Sequence, residues 1–335
     1  MKRPLAMTLV HPGPLEQGPL VALEQQRLEP GPQELVIEVA ACGVCRTDLQ
    51  LATGDLGARK LPVVPGHQLV GRVAGVGADV RGWRAGDRAG AGWLASSCGT
   101  CAACARGAEN LCERATFTGW DVDGGYASFA KVRADFALRL PDGFADLDAA
   151  PLLCGGVIGY RSLERSGVKP GQRLGLYGFG ASASLAIQVA RHWGCRVFVA
   201  TRSEAEQARA LQLGAEWAGT YDDVPPEPLD AAISFAPAPE VSIRALHALG
   251  RGGTLAINAI HLDGPLSFSY DALWWERNVV SVANYTRDDA RKLLELAAKI
   301  PIVTRRDVYP LEQANVALAR LLEGRVAGAA VLVPG

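Results

Sequence analysis

The chain has 335 residues, 49% of them hydrophobic and 21% charged, with a net charge of −1 at neutral pH. That length predicts about two domains, each with an ordinary apolar core. Near-zero charge without a basic block excludes general electrostatic attraction to nucleic acid or to an anionic membrane. No apolar run approaches the roughly 20 residues of a bilayer span. Met1-Lys2-Arg3-Pro4 leads into prolines and polar residues rather than an apolar leader, so a cytoplasmic protein with small-molecule partners is expected.

In chain order, E-L-V-I-E-V-A-A, ending at Ala41, reads as a strand, and short glycine-punctuated β segments continue to Ala130, predicting a compact β domain. Within it, Cys98, Cys101, Cys104 and Cys112 have the spacing of a tetrahedral thiolate cage for one Zn²⁺. Four thiolates leave no open position, so such a metal is structural, holding a loop too small and polar to fold alone. Two disulfides are the alternative, disfavoured in a reducing compartment. After Val168-Lys169-Pro170-Gly171 the pattern becomes strand, helix, strand, helix: R-L-G-L-Y-G, Ser182 to Trp193, C-R-V-F-V-A-T, and Glu204 to Leu213. This alternation predicts a parallel sheet, extended to about residue 286 by strands at Asp230 to Phe235, Gly253 to Asn258 and Val279 to Ala283. A helix over Arg287 to Lys299 and a last strand, G-A-A-V-L-V-P, close the chain.

The turn Gly178-Phe179-Gly180-Ala181-Ser182-Ala183 lies between strand and helix, where Gly178 and Gly180 let the backbone approach a pyrophosphate and Ala183 is the permitted variant of the third glycine. An acid at the end of the second strand would bind the 2′-hydroxyl of NAD. The chain has Thr201-Arg202-Ser203 there, and a guanidinium between two hydroxyls suits a 2′-phosphate, so NADP(H) is expected over NAD(H).

Cys45, His67 and Cys154 remain, each unremarkable alone, in A-C-G-V-C-R-T-D, V-P-G-H-Q-L-V-G and A-P-L-L-C-G-G. With the four-cysteine lobe and the nucleotide turn, these motifs resemble, along essentially the whole chain and in the same order, the zinc-dependent medium-chain alcohol dehydrogenases. The resemblance implies an α/β protein in which a GroES-like β-rich catalytic domain, residues 1–154 completed by 287–335, surrounds a Rossmann domain at 155–286. It implies that Cys45, His67 and Cys154 bind a catalytic Zn²⁺ open to water or a substrate oxygen, a second zinc besides the structural one. Thr47 then matches the hydroxyl that relays the substrate proton, Asp48 the carboxylate that orients the ligand imidazole, and Arg46 a contact to the cofactor pyrophosphate. Outside the resemblance, Thr47 reads as a loop residue and Asp48 as a loop cap. The activity implied is hydride transfer between NADP(H) and a small alcohol or aldehyde, in a homo-oligomer, dimer or tetramer; bacterial relatives are commonly homotetramers.

The chain departs from that pattern at three positions. Gln68 stands where the family usually has a glutamate, Gln50 where many members end the proton relay with histidine, and Ala329 where some carry a second pyrophosphate-binding arginine. Trp93 resembles the residue that narrows the alcohol pocket, while Trp120, Trp274 and Trp275 read as packing or interface residues. Cys42 and Cys195 read as buried fillers. Two alternatives carry different expectations: a zinc-free NADPH-dependent quinone or enone reductase of the same fold, whose ligand positions would be empty, and a non-catalytic nucleotide-binding sensor, of which Gln68 and Gln50 would be the first signs.

Overall fold

The strand read near residue 35 extends over Glu34–Val44, and Leu35, Val36, Ile37 and Val39 are all buried because the strand is covered on both faces. One edge pairs antiparallel with Leu69–Val76; the other is shared by Phe129–Arg133 at its start and the C-terminal strand Ala329–Val333 at its end. In this computed structural model, which describes residues 3–260 and 262–335, these strands anchor a unit made of Met1–Cys154 and Thr286–Gly335. The C-terminal segment belongs to this unit because Ala330, Val331 and Leu332 pair with Val44, Gly43 and Cys42. A core of Leu35, Ile37, Leu51, Leu69, Tyr126 and Leu332, among others, fills it.

Gly155–Tyr285 form the second unit. Its six strands are all parallel, in the spatial order Trp217–Gly219, Arg196–Ala200, Arg173–Tyr177, Leu229–Ser234, Leu249–Ile257 and Asn278–Ser281. Numbered along the chain this is 3-2-1-4-5-6, the doubly wound Rossmann order, whose switch point lies between the first and fourth strands. The central strands are short, with buried apolar interiors such as Leu174, Leu176, Val197, Val199, Ala231 and Ile233, as expected of a sheet with helices on both faces. The fold is therefore α/β, a GroES-like unit and a Rossmann-like parallel sheet. Among the described residues no helix is long and apolar enough to cross a membrane.

One local expectation is corrected. Thr47 and Asp48 lie in no loop but in the first turn of a helix, Arg46–Thr53, which Cys45 caps. Asp48 Oδ2 accepts the Cys45 backbone N–H at 2.8 Å, half of a capping box built on a cysteine rather than the usual Ser or Thr, so the start signal is masked in the sequence. Helices Gly155–Ser166, Pro239–His247 and Ala314–Leu322 also went unread; each is only 9 to 12 residues long, too short for its periodicity to stand out.

Candidate metal centres and nucleotide turn

Strand register brings the first three candidate ligands together. Cys42 faces Leu69 across the antiparallel pair, so the chain leaving Val44 and the chain entering Leu69 end side by side, and Gly43 N–H donates to the Gln68 carbonyl at 3.1 Å. Cys45 follows on one side and His67 on the other. Cys154 enters from the short helical turn Ala150–Leu153. Donor atoms of the three residues all lie within 4.8 Å of one another, and the two Sγ atoms are 3.9 Å apart. Zinc–thiolate bonds of about 2.3 Å at a tetrahedral angle require sulfurs about 3.8 Å apart, so this donor set fits Zn²⁺. Among the described residues no fourth histidine, cysteine or carboxylate joins the group. Gln68 is buried but lies against Gly43, where a β-carbon would be 2.5 Å from the amide oxygen.

Asp48 organises the centre. It is 2% exposed; Oδ1 accepts from Gly66 N–H at 3.1 Å and lies 3.1 Å from His67 Nδ1, while Oδ2 holds the Cys45 amide. One carboxylate thus fixes the backbone of one ligand and the ring of another, leaving His67 Nε2 for a metal. The Cys154 thiol's hydrogen bond, with His67 and against burial, holds Cys45 well below the usual cysteine range. The interaction with Cys45, together with burial, pushes Cys154 up. Burial opposes a charged imidazole, but Asp48 and Cys45 outweigh it and push His67 up to about 10.

Thr47 is buried, its Oγ1 3.8 Å from Cys45 Sγ. Trp93 meets the His67 ring edge-on at 4.8 Å and stacks on Phe117 at 5.2 Å and Trp120 at 5.7 Å. Arg59 covers Trp120 at 3.7 Å, and the Trp120 indole donates to the Gly57 carbonyl at 2.8 Å. This aromatic slab against the candidate ligand His67 was only half legible: Trp93 and Trp120 stand out by type, but Phe117 and Arg59 carry no motif.

The four-cysteine group also converges, with all four sulfurs within 4.8 Å. Sγ separations of 3.9 Å for Cys98 and Cys104 and 3.6 Å for Cys101 and Cys104 match a tetrahedral cage and are far from the roughly 2.05 Å of a disulfide. All eight cysteines are free. Backbone N–H groups aim at the sulfurs, Cys101 N to Cys98 Sγ at 3.3 Å and Cys98 N to Cys112 Sγ at 3.4 Å. Backbone hydrogen bonds from Thr100 and Cys101 pull the Cys98 thiol down to about 5. An anchor missed in the sequence ties this lobe down: Glu109, 8% exposed, is gripped by Arg287 through its backbone N–H at 2.8 Å and its guanidinium at 2.7 to 3.0 Å. The guanidinium also rests 4.3 Å from the Phe136 ring.

In the second unit the turn falls at the carboxyl end of Arg173–Tyr177, the switch-point strand. Gly178 has φ +89°, which a β-carbon would strain, and Gly180 caps the helix Ala181–His192, in which Ala183 is buried. That helix start offers free N–H groups to an anion. Past the end of Arg196–Ala200, Thr201 is buried, and Arg202 and Ser203 are exposed. Ser203 Oγ accepts Glu206 N–H at 3.4 Å, so it also caps the next helix. Tyr221, beside Thr201 and Arg202, was not read from the sequence. Arg46 is exposed at the first turn of its helix, and Ala329 opens the last strand.

Residues 31–142 match the family described as the alcohol dehydrogenase GroES-like domain, and residues 183–299 the one described as zinc-binding dehydrogenase. Over 96% of its length the chain is 49% identical to a probable alcohol dehydrogenase, AdhA, of Mycobacterium tuberculosis (strain CDC 1551 / Oshkosh), covering 95% of that protein. It is 36% identical over 92% of its length to an alcohol dehydrogenase of Geobacillus stearothermophilus, covering 94% of it. Among solved structures, a cobalt- and zinc-bound thermostable alcohol dehydrogenase from Pyrobaculum aerophilum aligns with a TM-score of 0.90 at 26% identity, covering 99% of this chain and 100% of that one.

Proposed function

Because this chain belongs to the zinc-type medium-chain alcohol dehydrogenases, oxidoreductases acting on alcohols, we propose that it transfers a hydride between NADP(H) and a small alcohol or aldehyde at a centre formed by Cys45, His67 and Cys154. The observation that carries this reading is the S₂N donor set with tetrahedral spacing and, among the described residues, no fourth protein ligand. Bound there, Zn²⁺ supplies Lewis acidity toward the oxygen of an alcohol or carbonyl. A second zinc in the lobe of Cys98, Cys101, Cys104 and Cys112 would be purely structural.

The chain's own residues divide the remaining work. Two thiolates and a neutral imidazole balance the charge of the ion, so an anionic substrate oxygen is not repelled. Asp48 keeps His67 in the tautomer that presents Nε2. Thr47 accepts the substrate's hydroxyl proton at Oγ1 and passes its own onward. Gln50 cannot titrate near neutral pH, so this chain offers no titrating side chain there to take the proton on from Thr47, and the proton is released to water. Trp93, packed on His67, limits the bulk admitted beside the metal and favours small substrates. In the first unit Arg46 offers a guanidinium suited to a pyrophosphate, and in the second the helix start at Gly180 offers N–H groups suited to one; Thr201, Arg202 and Ser203 favour the 2′-phosphate of NADP(H). Thiolate ligands suit a cytoplasmic, reducing setting, and the family's habit supports a homo-oligomer.

Elemental analysis of the purified protein, alongside NADPH- and NADH-linked reduction of a short aldehyde series, tests the reading. Two zincs per chain, one for each ligand group, with faster turnover on NADPH support it. Metal in the four-cysteine lobe alone, with no aldehyde reduction, replaces it with the zinc-free reductase or the sensor.

A further inference from the structure

Tyr126 is fully buried, one of the largest side chains in the first unit to be so. Its backbone is pinned on both sides, its N–H donating to the Pro65 carbonyl at 3.0 Å and its carbonyl accepting from Met7 N–H at 2.8 Å. The ring lies flush on Gly66, so closely that a β-carbon there would collide with it. Gly66 directly precedes His67, and its own N–H holds Asp48. Packing of this kind explains the ring and not the hydroxyl. Among the described residues the Tyr126 hydroxyl completes no hydrogen bond of ordinary geometry, although the Asp48 carboxylate lies close enough to act on it. An unpaired buried hydroxyl is destabilising, and phenylalanine would fill the same space without that cost.

Asp48 presents the vacancy that matches it. A carboxylate has about four lone-pair sites. Oδ1 faces both Gly66 N–H and His67 Nδ1, whereas among the described residues Oδ2 receives the Cys45 amide alone. Burial first, then the charge of Asp48, keeps the phenol protonated, so it faces that carboxylate as a donor.

We propose that Tyr126 is a positioning residue of the metal centre: its hydroxyl is the fourth donor to Asp48, and through Asp48 it fixes the His67 imidazole on the metal. It touches neither substrate nor metal. The proposal rests on the reading of Cys45, His67 and Cys154 as a metal centre, and it extends the support of that centre one residue further, to the strand pairing that holds Tyr126.

The test is a double-mutant cycle of Y126F and D48N in the full-length protein, read by chelator competition for Zn²⁺ and by the d–d absorption of Co²⁺ at the weaker of the two metal sites. Loss of an outer partner of a metal ligand typically costs 10–100-fold in affinity. Y126F is expected to weaken metal binding about tenfold, at the lower end of that range because it acts through Asp48, and to shift the Co²⁺ bands. The four-cysteine lobe should keep its metal, reporting that the unit remains folded. In the D48N background, adding Y126F should cost nothing more. Wild-type affinity and an unchanged Co²⁺ spectrum in Y126F overturn the proposal, most plainly if the metal-free variant is also more heat-stable, as removal of an orphaned hydroxyl would make it. Losses that multiply in the double variant also overturn it, since the two residues would then act separately. Wild-type protein that binds metal only in the lobe overturns the reading of the centre itself, and this proposal with it.

Discussion

Replacing Arg287 with Ala should loosen the four-cysteine lobe more than any single change to its partner. The carboxylate of Glu109 is 11% exposed and the Arg287 side chain 41% exposed. Removing the guanidinium strands a nearly buried carboxylate that keeps only the Arg287 backbone N–H. Removing the carboxylate instead leaves a half-exposed guanidinium that still reaches water and the Asp135 carbonyl at 2.9 Å. Hydrogen bonds to charged groups contribute about 1.5–3 kcal/mol, and discounting for the exposed half of the arginine puts R287A at about 2 kcal/mol. Each 1.4 kcal/mol is about tenfold in an equilibrium, so local opening of the lobe should become roughly 30-fold more frequent. The assay is the rate at which a chromogenic chelator strips metal from the lobe, compared for wild type, R287A, E109Q and the double variant. R287A should accelerate release about 30-fold, E109Q by less, and the double variant no more than R287A. Release from R287A within twofold of wild type, or faster release from E109Q than from R287A, refutes the argument that the buried carboxylate controls the anchor.

The same pair sets an acid limit. Burial works against the Glu109 carboxylate, but Arg287 prevails and holds its pKa below the usual value. Its contribution is therefore complete above the unfolded value of about 4.3 and is lost as pH falls through that value toward the lower folded one, so wild type should release lobe metal faster below about pH 4 and R287A should lack that increment. C45A should keep one metal per chain by elemental analysis and lose more than a thousandfold in turnover, about 4 kcal/mol of barrier; near-normal activity would remove Cys45 from the centre. R202A should raise the KM for NADPH at least tenfold with little change for NADH, and equal losses on both cofactors would rule out a 2′-phosphate contact. W93A removes the stacking partner of Phe117 and Trp120 and should raise kcat/KM for branched aldehydes relative to acetaldehyde; an unchanged preference order would take Trp93 out of substrate selection.

Much of the molecule could be read from the chain because its signals are local. The parallel strands at Arg173–Tyr177, Arg196–Ala200 and Leu229–Ser234 are apolar runs bounded by glycine and charge, so their positions follow from covering both sheet faces. Cys98, Cys101, Cys104 and Cys112 lie within 15 residues, and a cage closed by so short a loop needs little help from the rest of the fold. The turn at Gly178 is local too, since it takes only a strand, a positive φ and a helix start.

What the chain could not display is whatever depends on partners far apart in number. Cys154 is 109 residues from Cys45, and only the register of Glu34–Val44 on Leu69–Val76, with the turn Ala150–Leu153 laid beside them, brings both to His67. Glu109 and Arg287 are 178 residues apart and carry no motif, because a salt bridge needs proximity and not spacing. Tyr126 reads as one more core aromatic until its ring is found on Gly66 and its hydroxyl is found unpaired beside Asp48. The sequence by itself determined the type of most elements, the four-cysteine group and the nucleotide turn, since those follow from short-range periodicity and spacing, whereas Cys45, His67 and Cys154 were joined only through the family resemblance. Tertiary structure alone decided which side chains orient the ligands and which charges hold the lobe, because such contacts form only when separate strands and helices pack into one unit.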